Sequence, residues 1–237
     1  MRIKIISNPK KGWAKRLSHQ VRSLLEKHGY ELTEKDPDAT LCIGGDGTIL
    51  YANHMGMIEG AVLGIGGKTS FVCQIRNSSW KKELLSILSK NKTENLMMLE
   101  AGTGAKKLRA LNDFVIHTPD YRVVTIYLKI NGKEHSFEGD GVIISSAVGS
   151  AGYAYSAGGK KLKPTAKKIA VVPICPYKRA FKPIVLEPGT KVRIRCDRES
   201  AFILDGMFIR HLKKNERITI TGNGFMEFFS GVGKHGF

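Results

Sequence analysis

Cysteine is scarce in this chain: four in 237 residues, at Cys42, Cys73, Cys175 and Cys196. Their gaps of 31, 102 and 21 residues contain no C-x-x-C and no zinc-knuckle spacing. Leu-Cys-Ile, Val-Cys-Gln and Ile-Cys-Pro contexts predict buried thiols in a reducing compartment rather than a disulfide scaffold. No run of 18 apolar residues occurs, so no transmembrane helix is expected. The opening Met1–Pro9 carries too short an apolar run for a secretory leader, and a cytoplasmic protein is expected. There is no internal repeat and no low-complexity linker. Acids are also in short supply. Twenty-one Asp and Glu face 38 Lys and Arg, a net charge of +17.

Such an excess self-repels and favours anionic partners: nucleic acid, membrane headgroups or phosphorylated small molecules. A lysine-rich surface kept for solubility or for heat is the bland alternative. The stretch from Gly159 to Lys182 holds Lys160, Lys161, Lys163, Lys167, Lys168, Lys178, Arg179 and Lys182 and no acid. No nucleic-acid-binding motif is recognisable, and the aromatics do not interleave with this basic run. No amphipathic membrane-binding helix stands out either. Small anionic ligands are therefore expected, with no nucleic acid and no membrane as partner. Apolar residues at 42% and charged residues at 25% fit a globular chain, with room for one large domain or two small ones.

The pattern changes character near residue 100. Before it, strands and helices alternate. Arg2–Ser7 reads as a buried strand. Trp13–His28 carries Leu17, Val21, Leu24 and Leu25 at helical spacing, stopped by Gly29. Thr40–Ile43 is a short β run, followed by a short helix through His54. Ala61–Ile65 is another apolar strand, and Trp80–Lys90 is helical. This alternation predicts a Rossmann-like α/β lobe whose parallel sheet binds ligands at the strand C-terminal ends. After residue 100, short strands dominate: Arg122–Ile130 with an Asn131-Gly132 hairpin turn, Val142–Ser145, Ile169–Val172, Val192–Cys196, Ala201–Leu204 and Arg217–Thr221. Ser150–Gly158 could open a helix. The expected fold is thus α/β + β. An α/β domain spans 1–98, completed by 226–237. An all-β domain spans 99–225, and a ligand cleft lies between the two.

Gly44-Gly45-Asp46-Gly47-Thr48 lies between a buried strand and a helix. Glycines allow positive φ and let N–H groups approach a polyanion closely, and a helix N-terminus adds partial positive charge. A carboxylate among phosphate donors needs a task of its own. Two fit Asp46: holding Mg²⁺, or accepting a proton from an attacking hydroxyl. A plain Gly-Asp-Gly turn is the structural alternative.

Cys42–Leu50 resembles the signature shared by NAD kinases, diacylglycerol and sphingosine kinases and, more distantly, phosphofructokinases. The second half selects among them. Leu111–His117 resembles the NAD kinase N-E-[VF]-x-I motif, and Gly139–Ser145 its G-D-G-[LV]-I-[VI]-S strand. Gly149–Tyr153 with Ser156–Gly159 resembles G-S-T-A-Y-x-x-S-A-G-G. Pro173–Pro176, Lys182-Pro183 and Leu204-Asp205-Gly206 follow in register. The chain is identified as a member of the ATP-NAD kinase family over about 200 residues.

The resemblance implies phosphoryl transfer from ATP or polyphosphate to the 2′-hydroxyl of the adenosine ribose of NAD, with Mg²⁺ or another divalent cation. Asp46 would orient and deprotonate that hydroxyl. Gly44, Gly45, Gly47, Thr48, Gly66, Gly67 and Lys68 would line the ATP phosphate side. Asn112 and Asp113 would bind the dinucleotide, and Tyr153 would offer its ring to the base beside Ser150, Ala151 and Gly152. Asp140 and Ser156 would contact the nicotinamide–ribose end. No direct protein metal ligand is implied beyond Asp46. Homodimers or tetramers built through the β domain are implied.

Each position keeps a structural alternative. Asp140-Gly141 and Asp205-Gly206 could be hairpin turns, Asn112 a cap, Tyr153 a core ring and His117 an edge residue. The chain departs from the family pattern at Asp113 (usually Glu), Ala151 (usually Thr), Ala147, Val148, Gly66 (usually Asn) and Tyr177 (usually His). A lipid or sugar kinase and a non-catalytic dinucleotide binder are the competing functions.

Overall fold

Strand β1 (Arg2–Ser7) buries Ile3 and Ile5. Helix α1 (Gly12–Lys27) follows and lays Ala14, Leu17, Val21 and Leu25 against the sheet, an apolar stripe at helical spacing. Next come β2 (Glu31–Leu32), β3 (Ala39–Ile43), α2 (Asp46–His54), β4 (Ala61–Gly66), β5 (Ile75–Arg76) and α3 (Trp80–Lys90). Every pairing among these strands is parallel, in the order β2-β1-β3-β4 with β5 also on β4. β3 and β4 are buried at every residue, as strands covered on both faces must be.

The computed structural model describes residues 1–103, 106–120 and 122–234. Contacts divide the chain into two units, Met1–Asn95 with the segment from Met226 onward, and Leu96–Phe225. Two strands carry the chain between them, β6 (Thr93–Thr103) outward and, at the far end, β17 (Ile218–Phe229) back. The returning segment joins the first sheet parallel to β4, with Phe228 opposite Val62. Buried Gln74 fixes it there. Its side-chain amide donates to Phe229 O at 2.8 Å and Val62 O at 3.1 Å, and its carbonyl accepts from Gly64 N at 2.8 Å.

The second unit is built from strands. After β6 come β7 (Lys106–Ala110), β8 (Asp113–His117), β9 (Val124–Ile130), β10 (Lys133–Gly139), β11 (Gly141–Ser146), β12 (Ile169–Ile174), β13 (Ile184–Leu186), β14 (Val192–Cys196), β15 (Ser200–Leu204) and β16 (Met207–Leu212). Its single α-helix among the described residues is the four-residue α4 (Tyr153–Ser156). One sheet runs β10-β9-β14-β17, antiparallel, with β6 beside β17 and β7 beside β6. The other runs β13-β12-β11-β8-β15-β16, also antiparallel. Alternate residues of both share one core. Ile126, Leu128, Val192 and Ile194 come from the first sheet and Phe114, Ile116, Ile144 and Phe202 from the second, with the Phe114 and Phe202 rings stacked at 5.5 Å.

Asn131-Gly132 and Asp205-Gly206 form two-residue turns with all four φ angles positive, 49°, 82°, 48° and 80°. Asp140 is different. β10 pairs in one sheet and β11 in the other, so Asp140-Gly141 is where the chain changes sheets, not a hairpin turn. Among the described residues no helix is long and apolar enough to cross a membrane.

Candidate functional site

The glycine-rich loop leaves β3 at its C-terminal end. Gly44 and Gly45 take φ of 148° and 98°, which an L side chain rarely adopts. A Cβ on Gly44 would also lie 2.4 Å from Thr48 Oγ1 and 2.5 Å from Asn8 Cβ. The loop feeds directly into α2, with Asp46 as its first residue and Gly45 as N-cap. A carboxylate in that first turn is favoured by the helix dipole.

Asp46 is half-buried and held by the backbone. Its Oδ2 accepts from Phe71 N at 2.6 Å, and its Oδ1 from Val72 N and Cys73 N, each at 3.0 Å. Three amide donors fix the side chain in place. The Cys73 thiol is a fourth partner, hydrogen-bonded to the same carboxylate. Cys73 lies against this carboxylate. Burial first, and the negative charge of Asp46 second, push its thiol far above the ordinary range. Neighbouring Cys42 is pushed up by burial to about 12. Both thiols stay protonated and inert.

The segment carrying those amides is itself fastened. Arg76 Nη1 donates to Gly67 O at 2.5 Å and Ser70 O at 2.9 Å. Lys11 Nζ donates to Gly44 O at 2.7 Å, which brings an ammonium to the glycine loop. Sequence reasoning passed over both. Lys11 was findable, because Asn8-Pro9-Lys10-Lys11 follows the C-terminal end of β1, where parallel sheets place ligand groups. Arg76 gives no such local signal. Of the expected phosphate-side residues, Gly47 and Lys68 are exposed, Gly67 is half-buried and Gly66 is buried at the end of β4. Thr48 is buried, and its Oγ1 has no hydrogen-bond partner among the described residues.

The second unit gathers another group of polar residues. Leu111 N, Asn112 N and Asp113 N donate to the Asp205 carboxylate at 3.0, 2.8 and 3.0 Å, and Asp205 N returns a bond to Asp113 O at 2.9 Å. Asp205 is thus both a turn residue and a clamp on the start of β8. Asn112 O accepts from Ser146 N at 2.8 Å. Gly149 packs on Asn112 so closely that a Cβ would sit 2.3 Å from that same oxygen. The side-chain Oδ1 of Asn112 is buried without a hydrogen-bond partner among the described residues. An acceptor left so costs about 1–3 kcal/mol unless a ligand donor meets it.

Asp113 is buried, and its carboxyl is pushed up to about 7, by desolvation first and by the negative charge of Asp205 second. Tyr153 opens α4 and is 44% exposed. Burial first, then the nearby Cys175, Asp113 and Asp140, raise its hydroxyl above the ordinary phenol value. Cys175, exposed and at φ 45°, is raised mainly by its hydrogen bond to Asp140. The fold therefore brings Asp113, Asp140 and Cys175 within electrostatic reach of Tyr153. Ser150 has another task. It is fully buried, donates to Ala147 O at 2.7 Å and accepts from Leu162 N at 2.8 Å, so its hydroxyl shapes the loop. Ala151 is half-buried, and Gly152 and Ser156 are exposed beside Tyr153, with Ser156 Oγ 3.4 Å from Gly152 O. His117 turns Nδ1 to Thr118 O at 2.7 Å and is satisfied at the strand end.

Among the described residues no three His, Cys, Asp or Glu side chains converge as a metal cage.

Comparison with known proteins decides the family. The model of the ATP-NAD kinase C-terminal domain matches residues 111–227. The NAD kinase of Sulfurisphaera tokodaii is 34% identical over 218 residues, covering 86% of this chain and 85% of that one. That of Aquifex aeolicus is 35% identical over 202 residues, 80% and 74% of the two chains. The chain belongs to the NAD kinase family. Solved structures agree on the fold. The NAD kinase of Archaeoglobus fulgidus in complex with ATP superposes with a TM-score of 0.84 at 23% identity, over 98% of this chain and 94% of that one. The yeast NADH kinase complexed with NADH gives 0.81 at 19% identity, over 100% and 85%. The NAD kinase fold is thus the α/β lobe plus β domain described above.

Proposed function

We infer that this chain phosphorylates NAD at the 2′-hydroxyl of its adenosine ribose, with ATP as donor. The observation that carries the reading is Asp46. Its carboxylate stands in a glycine loop at a helix start and is fixed by three consecutive amides, those of Phe71, Val72 and Cys73. In the reaction a bond forms between the ribose oxygen and the γ-phosphorus, and the bond from that phosphorus to the β–γ bridging oxygen breaks. The ribose proton passes to the Asp46 carboxylate. A carboxylate is a weak base. That suffices for phosphoryl transfer, where the transition state is loose and catalysis is mostly positioning and charge neutralisation.

Gly44, Gly45, Gly47, Thr48, Gly66, Gly67 and Lys68 serve the ATP phosphates in this reading, with Lys11 as a further cation. Mg²⁺, when bound to the phosphate chain, supplies charge neutralisation at the leaving oxygens. Asn112, Asp113 and Tyr153 receive the adenosine part of NAD, with Ala151 and Gly152 beside the ring and Ser150 shaping the loop. Asp140 and Ser156 face the remaining ribose. Residues 1–95 with 226 onward act as the phosphate-donor domain, and residues 96–225 as the NAD domain. The working assembly is a homo-oligomer joined through the β domain, in the cytoplasm.

Purified protein with NAD, Mg²⁺ and ATP is expected to form NADP. Parallel reactions with inorganic polyphosphate and with NADH define donor and acceptor. Asp46→Asn places an NH₂ against amide donors and removes the base. Turnover should fall by about 10²–10⁴-fold with the circular dichroism spectrum retained. Full turnover by the variant, or no NADP from wild type with any donor, sinks the reading.

A further inference from the structure

The sheet β10-β9-β14-β17 has one face in the core and one outward. Ile126, Leu128, Val192, Ile194 and Ile218 take the inner face. Strand alternation sends Tyr127, Lys129, Arg193, Arg195 and Arg217 to the outer one, where with Glu134 they line a concavity of about 540 Å³. That volume is in the range of small-ligand sites.

The charge in this hollow is not balanced by the protein. Lys129 pairs with Glu134 at 3.3 Å. Arg195 lies over the Tyr127 ring, 3.6 Å from its centroid, and donates to Asn215 Oδ1 at 3.0 Å. Arg193 and Arg217 form no ion pair among the described residues. Three guanidinium groups therefore remain uncompensated. Arg193 stands directly opposite Lys129 on the neighbouring strand, and the one carboxylate of the hollow, Glu134, is already taken by that lysine.

We propose that this outer face is an oligophosphate-binding site, formed from none of the residues of the Asp46 loop or the Asn112–Tyr153 group. Guanidinium forks match phosphate oxygens in bidentate geometry. A tri- or longer phosphate, free or carried by a nucleoside, supplies the three or more negative charges that the hollow lacks. A second copy of the chain is a poor occupant, since two-fold pairing would set three uncompensated arginines against three more. Single-stranded nucleic acid fits less well, because it calls for a row of stacking aromatics. Here the rings are Tyr127, one face of which a guanidinium already covers, and His135, which packs edge-on against Phe181.

The test is calorimetric titration of the full chain with sodium tripolyphosphate at low salt, wild type beside Arg193→Glu/Arg217→Glu. Wild type should bind one more equivalent per chain than the variant, or bind that equivalent about tenfold or more tighter. Arg193→Gln/Arg217→Gln, which adds no negative charge, should show the same loss and guards against a folding defect. ATP in place of tripolyphosphate separates the two sources. Equal binding marks a free phosphate chain and tighter binding a nucleotide, and either supports the site. Identical titrations for wild type and both variants overturn it. So does an oligothymidylate of about 20 nucleotides that binds here and is not displaced by tripolyphosphate. NADP formation is measured separately, so a failure of this site leaves the kinase reading untouched.

Discussion

Two carboxylates in this protein sit in contrasting environments. Asp46 receives three backbone N–H groups that fix it at the start of α2. Asp113 is buried near another carboxylate, and its pKa is pushed up to about 7. The sign of its effect on stability follows. The folded state holds the proton more tightly than the unfolded chain, whose Asp titrates near about 3.9. Its stabilising contribution is therefore complete below that value and is lost as pH rises through about 7. Asp113→Asn removes the titration. The stability of the variant minus that of wild type should grow between about pH 4 and 7, measured by urea unfolding at several pH values. A difference that is flat with pH would show that Asp113 is not buried beside a charge. Nucleotide binding at Asn112 and Asp113 would inherit the same pH range.

At the level of elements, side chains that accept from backbone amides hold the site segments together. Asp205, at the β15–β16 turn, accepts from the three amides that open β8 and so joins a hairpin to the strand carrying Asn112 and Asp113. Replacing it with Ala leaves those amides without their acceptor and removes a polar residue suited to its left-handed φ. The expected loss is about 2–4 kcal/mol of stability together with a higher KM for NAD, since Asn112 is no longer fixed. Thermal unfolding and steady-state kinetics on Asp205→Ala check both. Retention of Tm would mean that water replaces the carboxylate without cost. Gln74 does the corresponding work in the other unit, tying the returning segment at Phe229 to β4.

For the molecule as a whole, the net charge of +17 sets the terms. Ion pairs such as Arg2–Asp38 at 3.4 Å are exposed and contribute little. Self-repulsion among the excess cations outweighs them and is screened as the Debye length falls from about 30 Å at 0.01 M salt to about 8 Å at 0.15 M. Tm should therefore rise by a few degrees between those salt concentrations. A fall would show that ion pairs, not repulsion, dominate the surface. Small oligophosphates should raise Tm further than their ionic strength explains, through linkage to the states that bind them.

Much of the first unit was legible in order. Arg2–Ser7 and Trp80–Lys90 are a strand and a helix at the expected bounds, because buried parallel strands and amphipathic helices carry strong local patterns. The second unit was less so. β10 (Lys133–Gly139) is mostly polar on its outer face, and β16 (Met207–Leu212) is an edge strand with one buried residue. Neither shows the alternation that identifies a strand. The sequence by itself determined the glycine loop, the order of motifs and the charge, since each depends on residue type and short spacing. The tertiary structure alone decided that Asp205 clamps β8 and that Ser150 is spent on its own loop. It alone set amides 71–73 on Asp46 and ranged Arg193, Arg195 and Arg217 along one sheet face. Each of these joins groups distant in the chain, and only closure of the sheets and their registers brings such groups within hydrogen-bonding or Coulombic range.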